Sequence, residues 1–202
     1  MTASGRPVSP WFISRERNSM AMTAGQLSDR MEIMDTATLY AYAVDHRDWS
    51  LWDRVFTLNA SLDYAEYGLG VLNPAQWRER LVQMDSEIIA AQHLLSNWLV
   101  ELDGDSATSR VEYHYYGSFR SERAGVARFS EGGCLYLDEL VRTSGGWRIS
   151  HRRAIEKWSR KSELECDSAL AIERHWGNSP REIMRWISAN RQTAQRPESC
   201  LE

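Results

Sequence analysis

Two residues of this chain combine a reactive side chain with an unusual place in the predicted secondary structure. Asp45 closes a stripe that recurs at steps of four and three, the spacing of one helix face: Leu27, Met31, Met34, Thr38, Ala41 and Asp45. His93 opens a predicted strand in the stretch AAQHLLSN, residues 90–97. An unpaired carboxylate on an apolar helix face costs several kcal/mol, so we expect Asp45 to have a partner. A histidine is the side chain best suited to accept a proton near neutral pH.

Both residues also have ordinary structural explanations. Asp45 could cap the helix predicted from Trp49, or it could pair with Arg47. A single histidine at the start of a strand is more often a satisfied structural residue than a base. Taken alone, the two residues leave these alternatives open.

The elements that would position these side chains are helices followed by a meander of strands. The pattern predicts helices from about Leu27 to Asp45, over Trp49–Phe56, from Asn73–Pro74 to about Ala91, and over Arg181–Gln192. It predicts strands at 61–67, 93–102, 107–119, 134–142 and 147–158, with turns at 103–105 and 144–146 and a polar connection over 121–132. This order indicates an α+β fold in which helices pack on one face of a curved antiparallel sheet.

The composition restricts the class of protein. The chain has 202 residues, of which 43% are apolar, which is enough for one domain with a substantial core. Acidic residues outnumber basic ones 28 to 24, so no positive field favours a nucleic-acid partner. No apolar run is long enough to cross a bilayer, so we expect no membrane partner. Nine tryptophans and eight tyrosines suit either a large aromatic core or a pocket for a flat ligand.

The cysteines bear on compartment and on metal binding. The chain has three, Cys134, Cys166 and Cys200, which are far apart and form no CxxC pair. This spacing indicates neither a disulfide framework nor a zinc site. We therefore expect a cytoplasmic protein without a metal.

Three stretches resemble the SnoaL-like, scytalone-dehydratase-like branch of the nuclear-transport-factor-2-like superfamily. They are LYAYAVDHRDWSLWDRVFTLNASLDY at 39–64, QHLLSNWLVELDGDSAT at 92–108 and GGWRISHRR at 145–153. The resemblance covers residues 27–158. It implies a cone-shaped α+β fold, in which a curved antiparallel sheet packs on helices and encloses a deep pocket.

The resemblance also implies a catalytic site. Scytalone dehydratase, bile-acid 7α-dehydratase and hexachlorocyclohexane dehydrochlorinase use an Asp and His dyad that falls here on Asp45 and His93. Tyr40 matches a tyrosine of the bile-acid enzyme, and Tyr64 matches one of scytalone dehydratase. Tyr40 and Asp45 are five residues apart, about 140° around an ideal helix, so both reach one cavity only if Asp45 lies at or beyond the helix end.

Further candidates would bind substrate. In the dehydrochlorinase an Arg on the last strand aligns with Arg152, although Arg153 competes for the match, and an Asn four residues after the His aligns with Asn97. Trp147 is expected on the strand face opposite to Arg152. Aromatic candidates for the pocket wall are Trp49, Trp52, Tyr64, Trp98, Tyr113 and Tyr115.

A second histidine of scytalone dehydratase falls on Gly117 in this sequence. His114 is nearby and is kept as a candidate substrate-binding residue. Because it lies an odd number of residues from Gly117, a regular strand would place it on the other face.

The resemblance implies a lyase of the dehydratase type that needs no cofactor. His93 would remove a proton next to a carbonyl of a hydrophobic, cyclic small molecule, and Asp45 would fix the His93 tautomer. Tyr40 or Tyr64 would stabilise the oxyanion, and His93 would return the proton to the leaving hydroxyl.

Other functions remain open. A cyclase or isomerase acting on a polyketide, terpenoid or steroid-type substrate would use the same base. The β subunits of ring-hydroxylating dioxygenases share the superfamily, so a non-catalytic scaffold is the alternative from another class, and a ligand-binding module is a further one. A bonded dyad facing a sealed apolar pocket would favour the enzyme, whereas a filled cone with His93 packed in it would favour the scaffold.

The remaining expectations concern organisation. We expect a flexible extension at 1–25, a SnoaL-like domain at 26–160 and a helical extension at 161–202. A sheet with one face on helices must cover its other face, and family members generally do so by pairing cones, so we expect a homodimer or homotrimer. The C-terminal helix would then brace the partner or close the pocket.

Overall fold

Two helices and six strands form the described part of the chain. The computed structural model describes residues 21–124 and 126–165. Helix α1 spans Ala24–Asp45 and helix α2 spans Pro74–Met84. The strands are β1 Phe56–Asp63, β2 Val71–Leu72, β3 Ile88–Asp103, β4 Ser106–Arg120, β5 Val126–Thr143 and β6 Gly146–Glu165. Short 3₁₀ helices cover Trp49–Arg54 and Ala65–Tyr67.

Capping residues define the start of both helices. Asn73 accepts a hydrogen bond from the backbone N–H of Gln76, whose side chain bonds back to the N–H of Asn73, and Pro74 occupies the first turn. This start is the predicted one. Helix α1 begins at Ala24, earlier than predicted, because Thr23 and Gln26 form the same pair of reciprocal hydrogen bonds, known as a capping box.

The buried face of α1 differs from the predicted stripe. Leu27 is 51% exposed and Met31 is 58% exposed. The buried residues are Ile33, Thr36, Ala37, Tyr40, Ala41 and Ala43. The Tyr40 ring inserts among core rings, and the hydroxyl of Thr36 donates to backbone carbonyls, so a tyrosine and a threonine mark the inward face. The helix is therefore rotated relative to the apolar stripe.

The six-stranded sheet has the order β2-β1-β6-β5-β4-β3 and is mixed. Strands β3 to β6 form the predicted antiparallel meander, with Gly104 in a left-handed turn at the first hairpin. Strand β1 pairs with β6 in parallel, so the prediction of a wholly antiparallel sheet is wrong at this pair. The alternation of side chains within a strand does not specify the direction of a partner so distant in sequence.

Several boundaries differ from the predicted ones. Strand β1 begins at Phe56 and not at Ser61, and α2 ends at Met84 and not near Ala91. The apolar run that opens β3 at Ile88 continues the helix pattern of α2, and such a run does not distinguish helix from strand. Strand β5 begins at Val126 within the predicted loop, because pairing to β4 and β6 on both sides holds this polar segment.

Aromatic rings fill the interior of the cone. Tyr40, Tyr64, Trp77, Tyr113 and Tyr136 are all buried, in one cluster with aliphatic residues from both helices and the sheet. Among residues 21–124 and 126–165, large side chains therefore occupy the space of the deep pocket that was expected inside the cone.

Parts of the predicted organisation fall outside the described residues. These are most of the extension at 1–25, the helix at Arg181–Gln192, and Cys166 and Cys200. Strand β6 continues to Glu165, five residues past the predicted domain end at 160. Neither α1 nor α2 is long and apolar enough to cross a membrane.

Candidate active site

Asp45 and His93 form a hydrogen-bonded dyad. Oδ1 of Asp45 lies 2.5 Å from Nδ1 of His93, and Oδ2 accepts the backbone N–H of His93 at 2.7 Å. The side chains are 9% and 10% exposed, respectively. Because a carboxylate only accepts, this contact places a proton on Nδ1 of the neutral ring. Both carboxylate oxygens are thus committed to one histidine.

The position of β3 in the sheet explains why the backbone of His93 is free to bond. β3 is the last strand in the sheet order, so its outer edge has no strand partner within the described residues. Side chains on or just after α1 cap this edge: Arg30 donates to the carbonyl of Val100, Asp45 accepts from His93, and Arg47 donates to the carbonyl of Ile88. This covering protects an otherwise exposed edge.

The end of α1 places Asp45 as the sequence required. Asp45 is the last residue of the helix, and His46 is its C-cap, which confirms the expected helix end. The structural alternatives for Asp45 do not hold. Asp48 caps the following 3₁₀ helix, and Arg47 pairs with Asp85.

The second ring nitrogen of His93 remains available. Nε2 has no hydrogen-bond partner within the described residues. It is not fully buried either, so this nitrogen is accessible to solvent. Asp45 and His93 line a hollow of about 340 Å³ between α1 and β3. Its other lining residues are Thr38, Ala41, Tyr42, His46, Ala91, Gln92, Leu94 and Leu95.

Two tyrosines flank the imidazole. The ring centres of Tyr113 and Tyr115 lie 5.6 and 5.5 Å from that of His93. Burial raises the pKa of Tyr115 to about 12, so its phenol stays protonated at neutral pH. Burial also raises the pKa of Tyr113, whose hydroxyl lies 3.0 Å from that of Tyr67. Both predicted wall residues therefore lie at the dyad.

Tyr40 and Tyr64 lie together, but their hydroxyls do not bond to the dyad. The two hydroxyls are 2.9 Å apart, and Tyr40 also accepts from Nε1 of Trp77. The Tyr64 ring stacks on Trp77 at 4.6 Å, and burial raises the pKa of Tyr64. The polar ends of the core rings thus satisfy one another.

Arg152 lies inside the cone and not on its surface. It makes two 2.7 Å hydrogen bonds to Asp138, and both side chains are fully buried. Its guanidinium lies 3.9 Å from the Tyr136 ring centre and 4.5 Å from that of Tyr40. Burial alone would lower the pKa of Arg152, and the charge of Asp138 outweighs this effect, so the pKa lies above its ordinary value.

A β-bulge places Trp147 on the same face of β6 as Arg152, so the prediction of opposite faces is wrong. Arg152 and Trp147 are both fully buried. The pairing of β5 with β6 shifts between Glu139 and Leu140, which leaves Ser150 as an extra residue. The extra residue returns Trp147 to the inner face, and Arg153 is left outside, where it contacts Glu66.

The structure does not bring Asn97 and His114 to the dyad. Asn97 has a positive φ of 52° at an irregularity of β3, and its exposed amide donates to Glu112. His114 lies on the outer face with Tyr116 and Trp158, as its odd spacing indicated. A Cβ on Gly117 would lie 2.3 Å from the Tyr115 hydroxyl, so Tyr115 occupies the space of a side chain there.

Trp49 and Trp98 lie at the margin of the core and do not line the hollow. Both are partly buried, and Trp49 packs edge-on against Trp52. Their bulk therefore serves packing and not contact with the dyad.

Sequence reasoning missed Tyr67 and the contacts of Cys134. Tyr67 lies on the 3₁₀ helix after β1 and bonds to Tyr113, and Cys134 is a buried free thiol next to it. The positive φ of Gly68 and Gly70 marks a tight turn that carries Tyr67 inward. The glycines were the available signal, although the partner of Tyr67 is set by tertiary packing.

Comparisons with known proteins agree with this fold. A family model described as SnoaL-like domain matches residues 25–153. The uncharacterized protein Rv2910c of Mycobacterium tuberculosis is 34% identical over 131 residues, which are 65% of this chain and 87% of that protein. A provisionally assigned aromatic ring hydroxylase from Novosphingobium aromaticivorans has a TM-score of 0.60 at 26% identity, over 68% of this chain and 94% of that chain. A provisionally assigned scytalone dehydratase from the same species has a TM-score of 0.60 at 18% identity, over 69% and 91%.

The curved six-stranded sheet with its helices has the same fold as a nuclear transport factor 2-like protein from Salmonella enterica, at a TM-score of 0.55 and 17% identity over 64% of this chain and 92% of that chain. The family model covers well over half of the sequence. The chain therefore belongs to the SnoaL-like domain family.

Proposed function

We propose that this protein is a cofactor-independent lyase of the dehydratase type, acting on a hydrophobic, cyclic, carbonyl-containing small molecule. The observation that supports the proposal is the commitment of both Asp45 oxygens to His93. It holds the imidazole in one orientation with the proton on Nδ1. The lone pair of Nε2 is then available as a base.

The reaction needs only the groups of the protein. Nε2 of His93 takes a proton from the carbon next to the substrate carbonyl, and Asp45 stabilises the imidazolium that forms. The electron pair of the C–H bond becomes the new C=C bond, and the neighbouring C–O bond breaks. The departing hydroxyl takes the proton back from Nε2 and leaves as water, so the dyad returns to its starting state.

The developing oxyanion requires hydrogen-bond donors. We assign this role to Tyr115, whose ring centre lies 5.5 Å from that of the imidazole, because the hydroxyls of Tyr40 and Tyr64 bond to each other and that of Tyr113 bonds to Tyr67. Tyr115 does not line the hollow, so the substrate carbonyl must reach past the imidazole to meet its hydroxyl. The raised pKa of Tyr115 keeps its proton in place for donation.

The size of the hollow limits the substrate. A volume of about 340 Å³ is at the small end of ligand sites, which run from roughly 300 to 1,000 Å³. Ala41 and Leu95 supply apolar contacts there. The substrate we propose is therefore a single-ring or two-ring compound.

The experiment that tests this function is turnover of a panel of cyclic β-hydroxy ketones, with mass detection of a product that lacks one water. We expect the wild-type chain and His151→Gln to form this product and His93→Gln to form none. His151 lies on β6, outside the dyad and the hollow, so it is a matched histidine control. Equal product formation by His93→Gln would contradict the proposal.

A cyclase or isomerase would use the same dyad, because proton removal is shared and only the leaving group differs. Its product would keep the mass of the substrate. The same assay therefore distinguishes the two reactions.

A scaffold function is favoured by one observation, the filled interior of the cone. A scaffold would tolerate His93→Gln and Asp45→Asn with no functional loss beyond stability.

A further inference from the structure

Arg47 joins three element ends around the dyad. It lies two residues after Asp45, beyond the end of α1. Its Nε donates to Asp85, the C-cap of α2, and its Nη2 donates to the carbonyl of Ile88 at 2.6 Å. Ile88 is the first residue of β3, five positions before His93.

These contacts close a loop. The chain runs from Asp45 to Arg47, the guanidinium crosses to Ile88, β3 runs on to His93, and the His93 ring returns to Asp45. Any change in the span between α1 and the start of β3 therefore changes the distance between the carboxylate and the imidazole.

We propose that Arg47 is a positioning residue, which holds Asp45 and His93 at bonding distance by fixing the end of α1 to the start of β3. This inference rests on the proposed function for its catalytic consequence, and on geometry alone for its effect on the dyad. Arg47 does not line the hollow, so it acts through the dyad and not by contact with substrate.

The backbone of Arg47 supports a role beyond packing. Its φ is +56°, in the left-handed region that glycine adopts freely and that is unfavourable for any residue with a Cβ atom. A position of this kind would be more stable as glycine unless the side chain contributed something in return. Here the side chain contributes its contacts to Asp85 and to the carbonyl of Ile88, which together form a clamp between α1, α2 and β3.

The chemistry of the clamp also requires arginine. The planar guanidinium reaches a carboxylate and a carbonyl at once, which a lysine ammonium on a flexible stem does not reproduce in the same geometry. The Arg47 side chain is 34% exposed, and this partial burial lowers the pKa of its guanidinium.

The test compares Arg47→Gly with Arg47→Ala, because the two variants separate stability from positioning. Both remove the clamp, but glycine relieves the strained φ, so we expect Arg47→Gly to unfold at a higher temperature than Arg47→Ala. The readout of the dyad is the proton NMR signal of Nδ1–H of His93, together with its backbone amide signal. We expect both variants to lose the downfield position of these signals equally.

Arg47→Lys tests whether the planar guanidinium is required, and Asp85→Asn tests the contact to the Asp85 carboxylate. Arg153→Ala is the control. Arg153 also contacts an acidic side chain, Glu66, but it lies on the outer face and away from the dyad. We expect Arg153→Ala to leave the His93 signals unchanged. On a substrate that the wild type turns over, we expect each clamp variant to lower kcat by about 10-fold to 100-fold with KM nearly constant.

Unchanged His93 signals in Arg47→Ala would overturn the inference. So would signals restored in Arg47→Gly in proportion to its stability, because Arg47 would then be a structural residue only. Failure of the proposed function is a different result: His93→Gln would stay active, while the NMR comparison would still report whether Arg47 holds the dyad.

Discussion

Replacing Asp45 by asparagine should invert the tautomer of His93 while leaving the fold intact. The amide oxygen can still accept the backbone N–H of His93, which Oδ2 accepts at 2.7 Å in the native chain. The amide nitrogen then faces Nδ1, where Oδ1 lay at 2.5 Å. An NH₂ group donates, so Nδ1 becomes the acceptor and the ring proton moves to Nε2. The base is lost because its lone pair now faces the amide.

The magnitude follows from the two interactions that change. In the variant, the reactive tautomer of His93 would point its Nδ1–H at the NH₂ group of the new amide, so that two donors face each other. One buried N–H is then left unpaired, which costs about 1–3 kcal/mol. Loss of the carboxylate removes its attraction to the imidazolium, about 4 kcal/mol at ~4 Å and an effective dielectric constant of ~20. Both side chains are at most 10% exposed, so solvent screens little of this attraction. The total of about 5–7 kcal/mol corresponds to a loss of turnover of about 10⁴-fold to 10⁵-fold.

The assay needs no substrate for its first part. Long-range proton–nitrogen NMR at about pH 8.5, above the usual range of histidine titration, distinguishes a protonated ring nitrogen from an unprotonated one. We expect Nδ1 of His93 to be protonated in the wild type and Nε2 in Asp45→Asn, with assignment from His93→Gln. The same tautomer in both proteins, or an Asp45→Asn variant with full turnover, would refute the reasoning.

Further expectations concern the core, the pH range, metals and assembly. Asp138→Asn leaves the fully buried Arg152 without its carboxylate, and we expect urea denaturation to show a loss of about 3–5 kcal/mol in the free energy of unfolding; an unchanged midpoint would speak against this pair. Burial raises the pKa of Tyr115 to about 12, so the stability from its neutral phenol is complete below about pH 10, where the unfolded phenol titrates, and is lost as the pH rises to about 12. Tyrosinate absorbance should show an ionisation step near pH 12 in the wild type whose amplitude is smaller by one tyrosine in Tyr115→Phe. Turnover should survive dialysis against a chelator, because the dyad chemistry uses protein groups alone, and recovery only on addition of a divalent metal would contradict this. Sedimentation at micromolar concentration should give a dimer or trimer, and a monomer would disprove pairing through the outer sheet face.

The position of the dyad was predictable because two local signals agreed. The angle between Tyr40 and Asp45 required a helix end at Asp45, and the helix ends there. The spacing of apolar residues changed from the helical period to strict alternation near His93, and His93 lies early in β3. Resemblance to the family joined these two signals, which neither residue could do alone.

The surroundings of the dyad were less predictable because they depend on tertiary contacts. The sequence offered Asp45 as a partner for Arg47, but a left-handed backbone turns the Arg47 side chain toward Asp85 and Ile88. An extra residue in β6 places Trp147 and Arg152 on the same face, where opposite faces were expected. Bulges and single left-handed residues leave little trace in a periodic pattern, so these changes of direction appear only in the folded chain.

Proton removal from carbon by Nε2 of His93 is the step on which the proposed reaction depends, and solvent isotope exchange detects this step without a leaving group. Cyclic ketones from the panel are incubated in deuterium oxide with wild-type chain, His93→Gln or His151→Gln, and deuterium at the carbon next to the carbonyl is followed by NMR. The measurement does not depend on a leaving group, so it reports proton removal whether dehydration or isomerisation follows. We expect deuterium incorporation above the buffer rate with the wild type and His151→Gln, and incorporation at the buffer rate with His93→Gln. Incorporation by His93→Gln at the wild-type rate would contradict this role of His93.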